Sequence, residues 1–272
     1  MRREAIDYRA QQLHLAPELL ASYTWSGRTS ESYRAQIRGG LGVPGGDRVS
    51  KPAPEVSMFN ATARDALWSA AHTERAALAE DLAALDDAQW AQPSLCGRWV
   101  VEEVVAHLTA AASIGPLRWF ASVLGTRFDF DLHNDRRLAE YRGATPAETL
   151  ERFRRIVTST TSAPGPTAAW LGEVVVHAQD IRRPLGLVHM PSVGAVTEVA
   201  RFYARRNFTV AGRTTIEGLR VEATDGPFAT GAGPLVSGTT LALTMTMAGR
   251  RAYCDDLTGA GVSIVRARCS PG

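Results

Sequence analysis

Residues 170–186 read WLGEVVVHAQDIRRPLG. Glu173 and His177 stand four apart, with Val174, Val175 and Val176 between them. On a helix, positions i and i+4 share a face, their Cβ atoms about 5–6 Å apart. The valine run asks to be buried. An unpaired carboxylate buried with it costs several kcal/mol after relaxation. The chain must therefore fold so that this helix meets something that satisfies both polar groups. A divalent metal would do so, and zinc takes His and carboxylate ligands, with three protein donors and one open position in catalytic sites. Two donors are not enough, so a third is required from another helix.

The 272-residue chain offers the core to build such a site: hydrophobic residues make up 45%. With 30 basic against 28 acidic residues the net charge is +2, which argues against a nucleic-acid or membrane-surface protein. No apolar run reaches about 18 residues, so no membrane span is expected. The start, MRREAIDYRAQQ, lacks the apolar centre of a signal peptide. Cys96, Cys254 and Cys269 are odd in number and widely spaced, as suits reduced thiols in the cytoplasm.

Residues 1–57 read differently from the rest. The segment GVPGGDRVSKPAPEVS is a Gly- and Pro-rich linker without a core of its own, and Met58 looks like a natural beginning. Within residues 5–42, WSGRT followed by RAQIR resembles the N-terminal region of replicative transposases. No acidic triad follows, so the segment is expected to be a poorly ordered leader with no catalytic task.

From Thr62 to Leu85 the spacing of Leu67, Ala70, Ala71, Leu78, Leu82 and Leu85 predicts a first helix. A turn at residues 93–97 precedes a second, Trp99 to Ala112. Residues 113–145 read as looser. Thr145, Pro146 and Glu148 are an N-cap, an N1 proline and an N3 carboxylate, and open a third helix reaching about Thr158. A fourth spans Thr167 to Arg182, stopping before Pro184, and a fifth Val193 to Arg206. Beyond it, residues 218–225 alternate like a strand with Leu219, Val221 and Ala223 on one face. Residues 225–238 read as a loop, 241–250 as strand or helix, and 262–268 as a final strand. The fold expected is mainly α with a small α+β part: a helical bundle over residues 58–207, then an α+β module over 208–272.

Of six histidines, His14 lies in the leader, His72 on a polar face, His133 in the loose stretch and His189 past the Pro184 break. His107 lies mid-helix in VVEEVVAHLTAAA, on the inward stripe with Val100 and Val104, and is the third donor chosen. On the residues alone, a satisfied core histidine and a simple helix-face pair remain the competing readings.

Four segments resemble one family. PSLCGRWVVEEVVAHL (93–108), HNDRRLAEYRGATPAETLERFR (133–154), WLGEVVVHAQDIRRPLG (170–186) and the C-terminal run through AGRRAYCDDLTGAGV are similar to the mycothiol-dependent maleylpyruvate isomerase family of the DinB-like metalloenzymes. The resemblance implies a DinB-like four-helix bundle holding a divalent metal, zinc, through His107, Glu173 and His177. Val100 departs from the pattern, which has Thr or Ser there, so a helix cap is put in doubt. The cosubstrate implied is mycothiol, a sugar-linked cysteine thiol, acting on a small electrophile by cis–trans isomerisation or by S-transfer.

Arg182 and Arg183, at the end of the metal-binding helix, are candidate clamps for a substrate carboxylate, and Arg250 a residue closing the site from the C-terminal module. Each competes with a bland reading: helix-dipole and Asp180 partners for the first two, a solvated surface for the third. Asp180 is an orienter of His177 or an arginine partner. Cys96 has no evident base and reads as a small turn residue; Trp99 reads as bundle packing. A non-catalytic metal- or ligand-binding module is the alternative, and a fourth protein ligand on the metal would favour it.

Overall fold

The computed structural model describes residues 56–97, 99–116 and 130–269, with side chains from residue 62 and, in the last stretch, from residue 136. The chain divides into two units, Met1–Ala66 and Leu67–Gly272. Of the first, only the opening turns of a helix are described, so the expected leader and its transposase-like pattern lie outside the described residues. The boundary expected near residue 207 falls inside the second unit.

Ten helices and three strands follow in the described residues: α1 Val56–Ala83, α2 Asp87–Trp90, α3 Val101–Ala111, α4 Phe130–Tyr141, α5 Pro146–Arg154, α6 Thr167–Leu185, α7 Val193–Arg205, α8 Gly212–Thr215, β1 Arg220–Ala223, β2 Ala229–Thr230, β3 Leu235–Gly238, α9 Thr240–Met247 and α10 Val262–Arg268, with a 3-10 segment Arg251–Asp256 between the last two. The fold is mainly helical with one small sheet, as the sequence indicated. No described helix is long and apolar enough to cross a membrane.

Local chemistry sets several boundaries. Asp86 caps α2 in a reciprocal box with Gln89. Thr145 caps α5 by accepting from the Glu148 amide at 3.2 Å, with Pro146 at N1. At α3 the Val100 side chain offers no cap; Glu103 instead accepts from the Val100 amide at 3.0 Å.

Two apolar cores meet at α6. Leu78, Leu82, Val101, Val104, Val105, Leu108, Leu150 and Phe153 form the first, with Ala178 and Ile181 of α6. The second gathers Leu171, Val175 and Val176 of α6 with α7, the strands and α9. Helix α6 is thus a shared wall, buried on nearly all sides, which is why its central sequence is apolar without a clear stripe.

Four expectations are corrected. Helix α6 does not stop before Pro184; it runs to Leu185 and closes at Gly186, where φ is +67°. Proline removes one amide donor, and the freed acceptor four residues back, the Asp180 carbonyl, takes the Leu95 amide at 3.0 Å instead. The segment 262–268 is helix, not strand, because the outer edge of β3 is already used: Ser237 and Thr258 exchange backbone bonds of 2.8 and 2.7 Å. Residues 225–238, read as loop, hold β2 antiparallel and β3 parallel to β1. The loose stretch 113–145 contains α4. The ambiguous 241–250 resolves as helix, capped by Thr239 and released at Gly249.

Candidate metal centre

Helix α3 brings His107, and α6 brings Glu173 and His177, to one point. At about 100° per residue, Glu173, His177 and Asp180 fall within a sector of about 60° on α6. One donor atom from each of His107, Glu173 and His177 lies within 4.8 Å of the others. Glu173 Oε1 is 2.6 Å from His107 Nε2 and 3.4 Å from His177 Nε2. The two imidazoles meet edge to face, ring centres 5.0 Å apart. Trp99 lies against them, its ring centre 4.8 Å from that of His107. The three side chains keep 17%, 20% and 10% of their surface, so the cluster is sunk but not sealed from solvent.

The protonation pattern follows from the partners. Asp180 Oδ2 lies 3.0 Å from His177 Nδ1. A carboxylate only accepts, so Nδ1 carries a hydrogen and Nε2 is the nitrogen that faces Glu173, with a hydrogen while the ring is an imidazolium and a lone pair once that proton has left. Burial pushes the Glu173 carboxyl up, but His177 and the His107 hydrogen bond outweigh it and hold it well below the usual range. Burial lowers His177, yet the Cys96 sulfur and the Glu173 carboxylate raise it well above its ordinary value. Without a cation, the cluster neutralises itself as an imidazolium–carboxylate pair.

The donor set fits a divalent metal. Two imidazole nitrogens and a carboxylate oxygen are zinc-type donors, and tetrahedral coordination at about 2.0–2.1 Å puts neighbouring donors roughly 3.3 Å apart. The Glu173–His177 distance already matches; the Glu173–His107 bond would lengthen by ~0.7 Å to admit the ion. Cys96 joins a different group, with His177 and Asp180, and no fourth donor shares the three-residue cluster among the described residues.

The arginines part company. Arg182 is fully buried; it donates to Asp81 Oδ2 at 2.7 Å and lies 3.8 Å from Glu74 Oε2. Nine residues past Glu173, it stands about half a turn round α6, and so is placed away from the centre rather than as its clamp. Arg183 pairs with Asp256 and stacks over Tyr253, 4.2 Å from its ring centre. Arg250, far from being a solvated residue, is sunk against the centre: Nε and Nη2 grip Asp180 at 2.9 and 2.6 Å, and Nη1 donates to the Ala248 carbonyl.

Cys96 is the residue the sequence reading undervalued. It lies beside His177 and Asp180, and accepts from Arg250 Nη2 at 3.7 Å. Its neighbours are 81 to 154 residues away in sequence, so nothing local marked it; the tie is the Leu95–Asp180 backbone bond that Pro184 makes possible. His72 and His189 are committed elsewhere, to the Ser159 carbonyl and to Glu74. A separate cavity of about 230 Å³, lined among others by Arg213, Glu217 and Leu219, contains none of the three donors.

Residues 71–168 match the family model of the mycothiol maleylpyruvate isomerase N-terminal domain. That match covers well under half of the chain; it includes His107 and ends in the first turn of α6, before Glu173 and His177. Two solved structures have the same fold: the mycothiol-dependent maleylpyruvate isomerase, at 17% identity and a TM-score of 0.50, and a point mutant of it, at 18% and 0.51. Each alignment covers 72% of this chain and 92% of the other. No curated protein matches. The family resemblance read from the sequence is found again in the family model and in the fold.

Proposed function

We propose that the chain is a divalent-metal enzyme that uses a low-molecular-weight thiol, mycothiol, against a small electrophile. The reaction is either cis–trans isomerisation of the maleylpyruvate type or S-transfer. The observation that carries this reading is the convergence of His107, Glu173 and His177 from two helices on one partly open point. The family match and the shared fold support the choice of thiol.

His107 Nε2, Glu173 Oε1 and His177 Nε2 would hold the ion. When bound, a zinc-type cation lowers the pKa of a coordinated thiol and so supplies a thiolate near neutral pH. Asp180 keeps the His177 lone pair directed inward. Trp99 walls the two imidazoles. Arg250 sets a positive charge behind Asp180, and Arg183, tied to Asp256, stands outside the cluster. In the isomerase reading the thiol sulfur and its hydrogen add across a cis double bond, the resulting single bond turns, and elimination returns the thiol and the trans alkene. In the transferase reading the thioether is the product. A purely structural metal would call for a fourth protein donor, and the described residues supply none at this cluster.

Free thiols at Cys96, Cys254 and Cys269 suit a reducing, cytoplasmic setting. Elemental analysis of the purified chain and of His107→Ala and Glu173→Ala, combined with a thiol-dependence assay across several electrophiles, tests the proposal. Both variants should lose the metal and the thiol-dependent turnover together. Full metal content in both would refute the site.

A further inference from the structure

We propose that Asp180 is a positioning residue shared between the metal-binding helix and the C-terminal segment, holding His177 in its ligating tautomer while Arg250 limits how much negative charge reaches that imidazole. The inference rests on the metal reading above and goes beyond it, by making the C-terminal segment a determinant of metal affinity.

Asp180 has no exposed surface. Its Oδ2 receives two donors, His177 Nδ1 at 3.0 Å and Arg250 Nη2 at 2.6 Å, while Oδ1 receives Arg250 Nε at 2.9 Å. One carboxylate oxygen thus bonds a proposed metal ligand and an arginine 70 residues further on. A carboxylate on the distal nitrogen of a ligating histidine fixes the ring and raises its donor strength. The guanidinium draws on the same charge. Arg250 therefore competes with His177, and the shorter bond is on the arginine side.

The arrangement also fixes what an amide could do in place of the carboxylate. Asp180→Asn has one acceptor and one donor group. With its oxygen towards Nη2 and His177, its NH2 faces the Nε hydrogen of Arg250. Turned over, its NH2 faces both Nη2 and His177 Nδ1, and favours the tautomer in which Nε2 carries the hydrogen and cannot ligate. Either orientation sets donor against donor for as long as Arg250 is present. With Arg250→Met in the same chain, the amide oxygen is free to turn to His177.

The test is metal affinity, measured by competition with a chromophoric chelator on the wild-type chain, Asp180→Asn, Arg250→Met and the double variant, with Co2+ absorption as a spectroscopic readout of the ligand set. Asp180→Asn should weaken binding about 10–100-fold. Arg250→Met should bind at least as tightly as wild type, although it is less stable to heat. The double variant should recover part of the loss. A generalised loss of packing would weaken both single variants alike and would not be relieved in the double, so that pattern overturns the proposal. Wild-type affinity in Asp180→Asn overturns it too. Should Asp180→Asn fail to fold, Arg250→Met decides, since weakened binding there contradicts the competition. A wild-type chain that binds no metal refutes the metal reading itself and this proposal with it; normal wild-type binding through His107 and Glu173, with an unaffected Asp180→Asn, refutes this proposal alone.

Discussion

Gly172 precedes the proposed ligand Glu173 on α6 and faces α7, and its replacement by alanine tests how tightly that wall is built. A Cβ placed there meets the Tyr203 hydroxyl oxygen closer than real Cβ contacts come, with Tyr203 Cζ at 3.0 Å and Val199 Cγ1 at 3.1 Å. Tyr203 is 1% exposed and Val199 fully buried, so neither can swing into solvent. Alanine favours the helix over glycine by about 0.8–1.0 kcal/mol. Overpacking a filled core costs about 1–3 kcal/mol, and a clash with a large immobile ring belongs in the upper half of that range. The net is a destabilisation of about 1–2 kcal/mol. For a unit of this size each kcal/mol moves Tm by about 2–4 °C, so Gly172→Ala should melt ~2–8 °C lower. Urea and thermal unfolding of Gly172→Ala, Tyr203→Phe and the double variant make the assay. Phenylalanine removes the oxygen but leaves the ring, so the alanine should cost about 1 kcal/mol less in that background. A neutral or stabilising Gly172→Ala, or an unchanged penalty beside Tyr203→Phe, would show that α6 and α7 are not in the close contact described.

Arg182→Met takes from the half-buried Asp81 its arginine donor and leaves the buried Glu74 with His189 alone, and should cost roughly 2 kcal/mol of stability while leaving metal content unchanged; urea melts and elemental analysis check both halves, and lost metal at normal stability would return Arg182 to the site. Metal uptake should release a proton, because the Cys96 and Glu173 neighbours hold the metal-free His177 protonated well above 6.5; calorimetry in buffers of different ionisation enthalpy reads this, with affinity falling as pH drops. The same raised value gives the metal-free chain a stabilising contribution that is full below pH 6.5 and is lost as pH rises through the folded-state pKa, which thermal melts across neutral pH with chelator present would detect.

The parts of this fold visible in the sequence are those decided by neighbours along the chain. Thr145, Pro146 and Glu148 carry the start of α5 by themselves, and Glu173 and His177 declare a shared helix face by their spacing. His107 could be singled out because its flanking residues place it on a buried stripe. What stayed hidden was decided across the chain. Helix α9 is buried nearly all round, so its near-alternating LALTMTM pattern carries no face information. The segment 262–268 looked like a strand because the occupied edge of β3 cannot be seen from its own residues. Pro184 looked like a stop, yet it loses only one bond in the last turn of α6, and the released Asp180 carbonyl finds Leu95. Cys96 and the Asp180–Arg250 pair escaped for the same reason: their meeting depends on that backbone bond and on where Arg250 emerges after α9.

Helix α6 reconciles two polar faces that could not both be buried on an ordinary amphipathic helix. Glu173, His177 and Asp180 lie in one sector and Arg182 in the opposite one, so no rotation of α6 would bring all four to solvent. Because the helix is the wall between two cores, the charges on each face are met inside the protein by a separate set of partners. Glu74 and Asp81 of α1 neutralise Arg182. On the other side His107 and Arg250 answer Glu173 and Asp180, but there the balance closes differently. Asp180 has its charge matched by Arg250 in a bidentate pair, while Glu173 is held between two imidazoles, with the His177 ring raised well above its ordinary value beside it. In the proposed reading a divalent cation would take the place of the His177 proton and be held by His107, Glu173 and His177. The charges on the arginine face are thus matched by fixed side chains, those on the glutamate face in part by a proton that can leave, and that asymmetry is what suits the second face to the proposed site.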